Sequence, residues 1–319
     1  MKISRQKIFG RADAAAVNIV FGVDAPFVPI MGICMTSLLK NNPAQKFAFH
    51  IFLDNIDACD EDRLAELSEQ FSAQITLYFL PTDLYEDFYL EGDYTRAIFY
   101  RIAAADFLAQ HLEKIIYMDA DMICLKPLDE LFDLPQENFL LAAVADPGGV
   151  NSPEHKKNFG FSADYLYFNT GLLCINLAQW RAEKISSQVL EILSRGRYPF
   201  PDQDALNLVV DRRAYPIKFL PDRYNYFFRV NGVERSLRDD VAIQHFTGQL
   251  KPWHPWCESP LKEIFETYKN ISPWRDFVYQ PRNYQEYRRM GRVCRRAGKW
   301  FEALKWYFSY FQRRHVEKK

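Results

Sequence analysis

Short apolar runs separated by amphipathic stretches dominate the first half of the chain. Five runs have the length and the β-branched or aromatic character of buried strands, and they lie at residues 17–23, 47–53, 75–79, 115–118 and 140–145. The spacing of apolar residues predicts helices between them, at residues 30–40, 60–72 and 95–110. Strands that alternate with helices predict an α/β fold with a mostly parallel sheet covered on both faces.

Aspartates stand where several of these strands end, namely at Asp24, Asp119, Asp121 and Asp146. The carboxyl ends of parallel strands are where such sheets bind ligands. Asp119 and Asp121 directly follow the apolar run IIYM, and buried carboxylates are costly unless they are paired, hydrogen-bonded or bound to a metal. Mg²⁺ or Mn²⁺ carrying a phosphorylated ligand would explain both carboxylates. A turn in which aspartate caps backbone N–H groups is the alternative.

The Asp-x-Asp spacing is weak evidence by itself, because the chain contains it three times. Asp60 and Asp62 stand at the start of the helix predicted at residues 60–72, and acidic residues are favoured in a first helical turn, so we interpret them as a solvated helix start. Asp202 in FPDQDALN has a similar explanation as a helix N-cap. Gln203 beside it has no such explanation.

Two later stretches place polar groups among strand-like residues. In VAIQHFTGQLKPW, His245 ends an apolar run and is followed by Gly248 and Lys251. A glycine turn with a nearby lysine can surround a phosphate, and a histidine that reached the cation would favour Mn²⁺ over Mg²⁺; a structural histidine is the alternative. In YFNTGLLCIN, Asn169 and Gly171 interrupt the run, which indicates either a β-bulge or a bound partner.

Composition places the chain among soluble globular proteins, with 48% hydrophobic and 25% charged residues. No apolar run approaches the ~20 residues of a membrane-spanning helix, and the N-terminus has no signal-peptide pattern. Six scattered cysteines form no C-x-x-C pair, and most lie in apolar runs, which predicts mainly buried thiols in a reducing cytoplasm and neither disulfides nor zinc ligands.

The net charge of −1 is the sum of two parts of the chain with opposite net charges. Residues 282–319 carry a net charge of +9, whereas residues 1–281 carry −10. Aromatic and basic residues interleave in GKWFEALKWYFSYFQRRH, at residues 298–315. This composition predicts a helix in the headgroup layer of an anionic membrane, with a packed helix that has a basic soluble face as the alternative. The acidic body argues against nucleic acid as a partner.

Taken together, the chain resembles the family-8 glycosyltransferases, especially the bacterial enzymes that add glucose or galactose to the lipopolysaccharide core. The stretches that carry the resemblance are IVFGVD, YTRAIFYRI, IIYMDADM, YFNTGLLCINLAQW, PDQDALN and HFTGQLKPWH. Each is weak alone, but their order and spacing over roughly residues 17–280 are specific. The resemblance implies a GT-A catalytic domain at residues 1–270, followed by a basic, helical, membrane-associating region at residues 271–319.

The resemblance also implies a reaction, which is the retaining transfer of glucose or galactose from a UDP-hexose to the lipopolysaccharide core, with Mn²⁺ or Mg²⁺ as the cofactor. The implied metal ligands are Asp119, Asp121 and His245. The implied donor-binding residues are Asp24, Arg101, Asp119, Ala120, Asp146, Asn169, Gly248 and Lys251. Pro26 stands where some family members have a polar nucleotide contact, so that contact is not expected here.

Gln203 and Asp202 are the implied catalytic residues. The family has an amide, here Gln203, where a covalent retaining mechanism would need a carboxylate. We therefore expect front-face attack, in which the departing phosphate takes the acceptor proton, Gln203 lends its carbonyl oxygen to the transition state and Asp202 holds sugar hydroxyls. The expected location is the cytoplasmic face of the bacterial inner membrane. A glycogenin-like or protein-glycan transferase, and a non-catalytic sugar-nucleotide-binding protein, are the alternatives.

Overall fold

The computed structural model describes residues 3–90, 92, 94–135, 138–228 and 237–317. Its strands are β1 (Arg5–Phe9), β2 (Val17–Gly22), β3 (Phe47–Leu53), β4 (Gln74–Phe79), β5 (Lys114–Met118), β6 (Met122–Cys124), β7 (Leu141–Ala145), β8 (Phe168–Asn176), β9 (Ile217–Leu220), β10 (Tyr226–Phe227) and β11 (Ile243–His245). Its helices are α1 (Val28–Asn41), α2 (Ala58–Phe71), α3 (Tyr100–Leu108), α4 (Asp129–Phe132), α5 (Pro153–Phe159), α6 (Leu177–Ala182), α7 (Ile185–Arg195), α8 (Pro201–Arg213), α9 (Leu261–Ile271), α10 (Tyr284–Arg296) and α11 (Trp300–Glu317).

The five predicted strands and the three predicted helices are all present, with bounds that differ by a few residues. The predicted helix at 95–110 begins with a 3₁₀ turn, Arg96–Phe99, and continues as α3. The sequence prediction lacked β1, which forms an edge of the sheet beside β4. Four of its five residues are exposed, so it has little of the apolar signal on which strand prediction depends.

The main sheet has eight strands in the order β1-β4-β3-β2-β5-β8-β7-β9. Its central strands β4, β3, β2 and β5 are parallel, whereas β8 is antiparallel to both β5 and β7. Alternate side chains of one strand face opposite sides. Ile19 and Phe21 of β2 therefore join a core with α1, α2 and α9, and Val20 joins a core with α3, α6, α7 and α8. The predicted mixed α/β sheet covered by helices on both faces is confirmed.

A small second sheet, in the order β10-β11-β6, lies beyond the end of β5. Its β11 pairs antiparallel with β6, so that His245 lies opposite Met122. The Phe246 N–H also donates to the Asp121 carbonyl oxygen at 2.9 Å. Residues more than one hundred positions apart are thereby held at one place, which is where the candidate site forms.

Trp274 anchors the chain beyond α9 to the main core. Its side chain is fully buried in the core that contains α1 and α2, and a Cβ atom on Gly32 would come within 2.1 Å of its ring. Its indole N–H donates to Asp60 Oδ1 at 2.7 Å. Asp60 does lie in the first turn of α2, as predicted, but it is buried, so the interpretation as a solvated helix start was wrong for this residue.

The last two helices, α10 and α11, pack closely against one another. Gly291 permits this approach, because a Cβ atom there would lie 2.8 Å from the Tyr307 ring. Tyr287 and Trp306 also meet across the pair, with ring centroids 5.6 Å apart. In the described part of the chain, no helix is both long enough and apolar enough to cross a membrane.

Trp274→Ala is expected to lower the free energy of unfolding by about 3–5 kcal/mol, since it empties a large buried site. Trp274→Phe keeps most of the packing but leaves Asp60 without its indole donor, which should cost about 1–3 kcal/mol. Trp300→Ala is the matched control, because Trp300 is 62% exposed. Denaturant unfolding measures all three, and an equal effect of Trp274→Ala and Trp300→Ala would contradict the anchoring role.

Candidate functional site

Asp119 stands where the central strand β5 ends. Its backbone N–H donates to the Gly171 carbonyl oxygen at 2.8 Å, which continues the pairing of β5 with β8. Its Oδ1 accepts hydrogen bonds from Arg101 Nη2 at 2.9 Å and from the Tyr117 hydroxyl at 3.1 Å. The carboxylate is therefore fixed on one side by a cation and a phenol, and its Oδ2 is left for other partners.

Asp119, Asp121 and His245 form one cluster. Each offers a ligand atom, and these atoms all lie within 4.8 Å of one another. His245 Nε2 is 3.2 Å from Asp121 Oδ1 and 3.9 Å from Asp119 Oδ2. The structure thus brings together the three residues that the sequence analysis selected as metal ligands.

Asn225 fixes the orientation of His245. Asn225 Nδ2 donates to Asn169 Oδ1 at 2.8 Å, so its own oxygen faces His245 Nδ1 at 2.8 Å as an acceptor. This network places a proton on Nδ1, so that Nε2 is the nitrogen that faces the two aspartates. A second group that holds the ligating tautomer in this way is typical of metal-binding histidines.

Sequence reasoning missed Asn225. It stands in PDRYNYFF, ahead of a two-residue strand, and nothing in that local pattern distinguishes it from an ordinary polar loop residue. Only the pairing of β10, β11 and β6 places it beside His245.

Gly171 is required by the close approach of His245. A Cβ atom at this position would lie 2.6 Å from His245 Cε1 and 2.9 Å from Asn169 Oδ1. Asn169 and Gly171 also lie in an irregularity of β8: four residues separate Phe168 from Leu173, whereas one residue separates their partners Ala145 and Ala143 on β7. The predicted β-bulge is therefore present, and the contacts with His245 place the same residues in the site.

Lys251 supplies a second cation to the cluster. Its Nζ lies 2.6 Å from Asp121 Oδ2 and also donates to the Phe246 carbonyl oxygen. Burial alone would raise the pKa of Asp121, but Lys251 and His245 together hold it well below its usual range. Gly248 lies three residues earlier in an exposed loop, with a left-handed φ of 82° and no described atom within 4 Å of where its Cβ would be.

Arg101 joins Asp119 to Asp202. Its Nε lies 2.9 Å from Asp202 Oδ2, and its Nη1 donates to the Thr170 carbonyl oxygen. Burial raises the pKa of Asp202 to about 6, although Arg101 opposes the shift. Phe200 occupies the N-cap position of α8 and Pro201 follows it, so the N-cap explanation for Asp202 was wrong.

Gln203 is turned towards β8. Its Oε1 accepts from Asn169 Nδ2 at 2.9 Å and from the Thr170 N–H at 3.0 Å. Asn169 Nδ2 also lies 3.2 Å from Asp146 Oδ2. In this arrangement the amide oxygen of Gln203 orders Asn169 and Thr170. The role expected from the sequence, in which this oxygen stabilises the transition state, requires the amide to rotate.

The remaining predicted residues lie around this network. Asp146 Oδ1 accepts from the Gly148 N–H at 2.7 Å, and Ala120 is buried between the two aspartates. Asp24 follows β2, the neighbour of β5, and its Oδ1 is buried without a hydrogen bond from any described residue. Burial raises the pKa of Asp24, while Arg282 and Thr95 oppose the shift. No described contact joins Asp24 or Gly248 to the central cluster.

Known glycosyltransferases are similar to this chain over most of its length. The lipopolysaccharide 1,2-glucosyltransferase of Escherichia coli is 29% identical over 82% of this chain and 80% of its own length. The lipopolysaccharide 1,3-galactosyltransferase of Salmonella typhimurium is 29% identical over 96% of this chain and 94% of its own.

A solved structure of the galactosyltransferase LgtC, in complex with donor and acceptor sugar analogs, superposes with a TM-score of 0.69 at 22% identity. The match covers 84% of this chain and 99% of that one, and it shows the GT-A fold. The family model for glycosyl transferase family 8 matches residues 18–257, so the chain belongs to glycosyltransferase family 8.

Proposed function

We propose that this glycosyltransferase transfers glucose or galactose from a UDP-hexose to the lipopolysaccharide core, with retention of anomeric configuration and with the help of Mn²⁺ or Mg²⁺. The observation that carries the proposal is the cluster of Asp119, Asp121 and His245, with Lys251 beside it. The names of the two relatives supply the sugars and the acceptor.

The residues of the cluster fit a divalent cation. Two carboxylates and one imidazole nitrogen offer ligand atoms within 4.8 Å of one another, and Asn225 holds the imidazole in the ligating tautomer. The mixed oxygen and nitrogen set favours Mn²⁺ over Mg²⁺. When bound, such a cation would stabilise the charge that develops on a departing diphosphate.

Lys251 and Gly248 support binding of the diphosphate. The lysine ammonium now bonds to Asp121, and its flexible stem lets the same group turn to a phosphate oxygen. The open backbone at Gly248 offers N–H donors close by. Asp24, whose buried Oδ1 lacks a described donor, would accept a hydrogen bond from the nucleoside.

Arg101 and Asp202 would organise the sugar. Arg101 holds Asp119 and Asp202 on either side of one guanidinium, which fixes the position of both carboxylates. Asp202 would bind sugar hydroxyls, and Asn169 and Asp146 would line the same wall. Gln203 first acts by ordering Asn169 and Thr170, and it would stabilise positive charge on the sugar ring once its amide rotates.

The place of the reaction is proposed from the charge of the chain. The catalytic domain of residues 1–270 would carry the donor site, and the basic region of residues 271–319 would lie on an anionic membrane. With a lipid-linked acceptor, the membrane surface would be the cytoplasmic face of the bacterial inner membrane.

Incubation of the purified protein with Mn²⁺ and either UDP-glucose or UDP-galactose tests the activity directly. We expect UDP release that depends on Mn²⁺, favours one donor and increases with truncated lipopolysaccharide as acceptor. Asp121→Asn should lower kcat/KM by at least about 100-fold, because it weakens a metal ligand. Asp62→Asn is the matched control, because Asp62 is the exposed second aspartate of the Asp-x-Asp in α2. UDP binding without transfer or hydrolysis of either donor would instead identify a non-catalytic binder.

Asn225→Ala is expected to weaken Mn²⁺ binding by roughly 10–100-fold, as loss of the group behind a ligating histidine does in other metal sites. The measurement is calorimetric titration of Mn²⁺ in the presence of UDP. Saturating Mn²⁺ should restore much of the lost turnover, which a merely structural defect would not allow. Unchanged Mn²⁺ affinity in a folded Asn225→Ala protein would remove this positioning role.

A further inference from the structure

The C-terminal helices α10 and α11 form a cavity of about 440 Å³ that is open to solvent on one side. Four guanidinium groups line it, together with two tyrosine rings; these residues are Arg288, Arg289, Arg292, Arg314, Tyr284 and Tyr310. The cavity is separate from the donor site, since it shares no lining residue with the Asp119 cluster.

Three of the four arginines are held by aromatic rings. Arg288 and Arg314 lie over the Tyr310 ring, with 5.8 and 5.9 Å from Cζ to the centroid, and Arg289 lies 5.7 Å over Trp256. Among the described residues, no ion pair joins any of the four to a carboxylate. The cavity therefore concentrates positive charge that is oriented but not neutralised.

A cluster of oriented guanidinium groups suits a phosphate. Their planar N–H forks match the oxygen geometry of phosphate and bind it more strongly than neutral donors do. The close packing of α10 on α11, through Gly291 and Tyr307, means that little ordering is needed on binding.

An exposed apolar stripe runs along α11 beside this cavity. It consists of Trp300, Phe301, Leu304, Phe308 and Phe311, each with more than half of its surface exposed. Phe311 and Arg314 are three residues apart and are thus neighbours on the helix surface. The arginine-lined cavity therefore adjoins side chains that favour the acyl region of a bilayer.

We propose that the cavity between α10 and α11 binds the phosphate of an anionic lipid headgroup while the α11 stripe enters the acyl layer. This rests on the proposed function only in taking the membrane as the partner of residues 271–319. A soluble phosphate would leave the stripe without a role. A second copy of the chain would bring another cavity of the same positive charge, which opposes pairing through this face.

The test compares two double variants of the full chain, each of which removes two positive charges from α10. Arg288→Gln/Arg292→Gln alters the cavity, and both side chains are exposed, so folding should be retained. Arg295→Gln/Arg296→Gln is the matched control, since these exposed residues do not line the cavity. A third variant, Phe301→Ser/Phe308→Ser, removes part of the stripe.

Co-sedimentation with phosphatidylcholine vesicles, with and without phosphatidylglycerol, measures binding. We expect the protein to bind the phosphatidylglycerol vesicles. Diffuse attraction alone predicts a loss of roughly 30-fold or less when two surface basic residues are removed, and this is the limit expected for the control. The cavity variant should lose roughly tenfold more than the control, because it also removes charge-assisted hydrogen bonds to the phosphate. The stripe variant should also bind more weakly, and inorganic phosphate at constant ionic strength should compete poorly.

Equal losses in the cavity and control variants would overturn the proposal in favour of diffuse attraction. Full binding by the stripe variant together with strong competition by inorganic phosphate would identify a soluble-phosphate site instead, and binding to nucleic acid but not vesicles would also overturn it. Mn²⁺-dependent UDP release from the donor without acceptor is measured in every variant. This UDP release should stay at the wild-type level. A failure of the lipid-headgroup proposal is therefore distinguishable from a failure of the proposed transferase activity.

Discussion

The buried charge at the end of β5 is the constraint on which the candidate site depends. Asp119 and Asp121 follow a strand whose side chains are almost wholly buried, and carboxylates in that setting require compensating charge. Arg101 compensates Asp119, while Lys251 and His245 compensate Asp121. Because these partners come from α3, β11 and the loop after it, balancing two charges brings distant parts of the chain together.

The main sheet and the small sheet together hold these charged residues in place. The parallel strands of the main sheet bring Asp24 and Asp119 to one edge, and the small sheet of β10, β11 and β6 adds His245 from the far end of the chain. A continuous set of amide contacts then runs from Gln203 and Asp146 through Asn169 and Asn225 to His245. The residues proposed to bind the sugar and those proposed to bind the cation are consequently parts of one hydrogen-bonded unit.

Much of the fold could be predicted from the sequence because its strands are buried and strongly apolar. The apolar pattern did not predict β1, because β1 is an exposed edge strand. The pattern also did not predict that Trp274 would cover Asp60. Asp119, Asp121 and His245 could be selected because polar groups at strand ends are conspicuous.

Other features of the site depend on tertiary contacts that no local pattern encodes. Asn225 acts through a pairing between segments far apart in sequence, and the need for glycine at position 171 arises only from the approach of His245. The direction of the Gln203 amide is likewise set by Asn169 and Thr170.

A crystal structure of the protein with Mn²⁺ and UDP, with anomalous scattering data for manganese, would show whether Asp119, Asp121 and His245 hold the cation. We predict one strong anomalous peak within bonding distance of Asp119, Asp121 and His245 Nε2, in contact with the UDP diphosphate, with Lys251 moved away from Asp121. Bound UDP with the manganese elsewhere, or with Lys251 still paired to Asp121 and no manganese at the cluster, would contradict it.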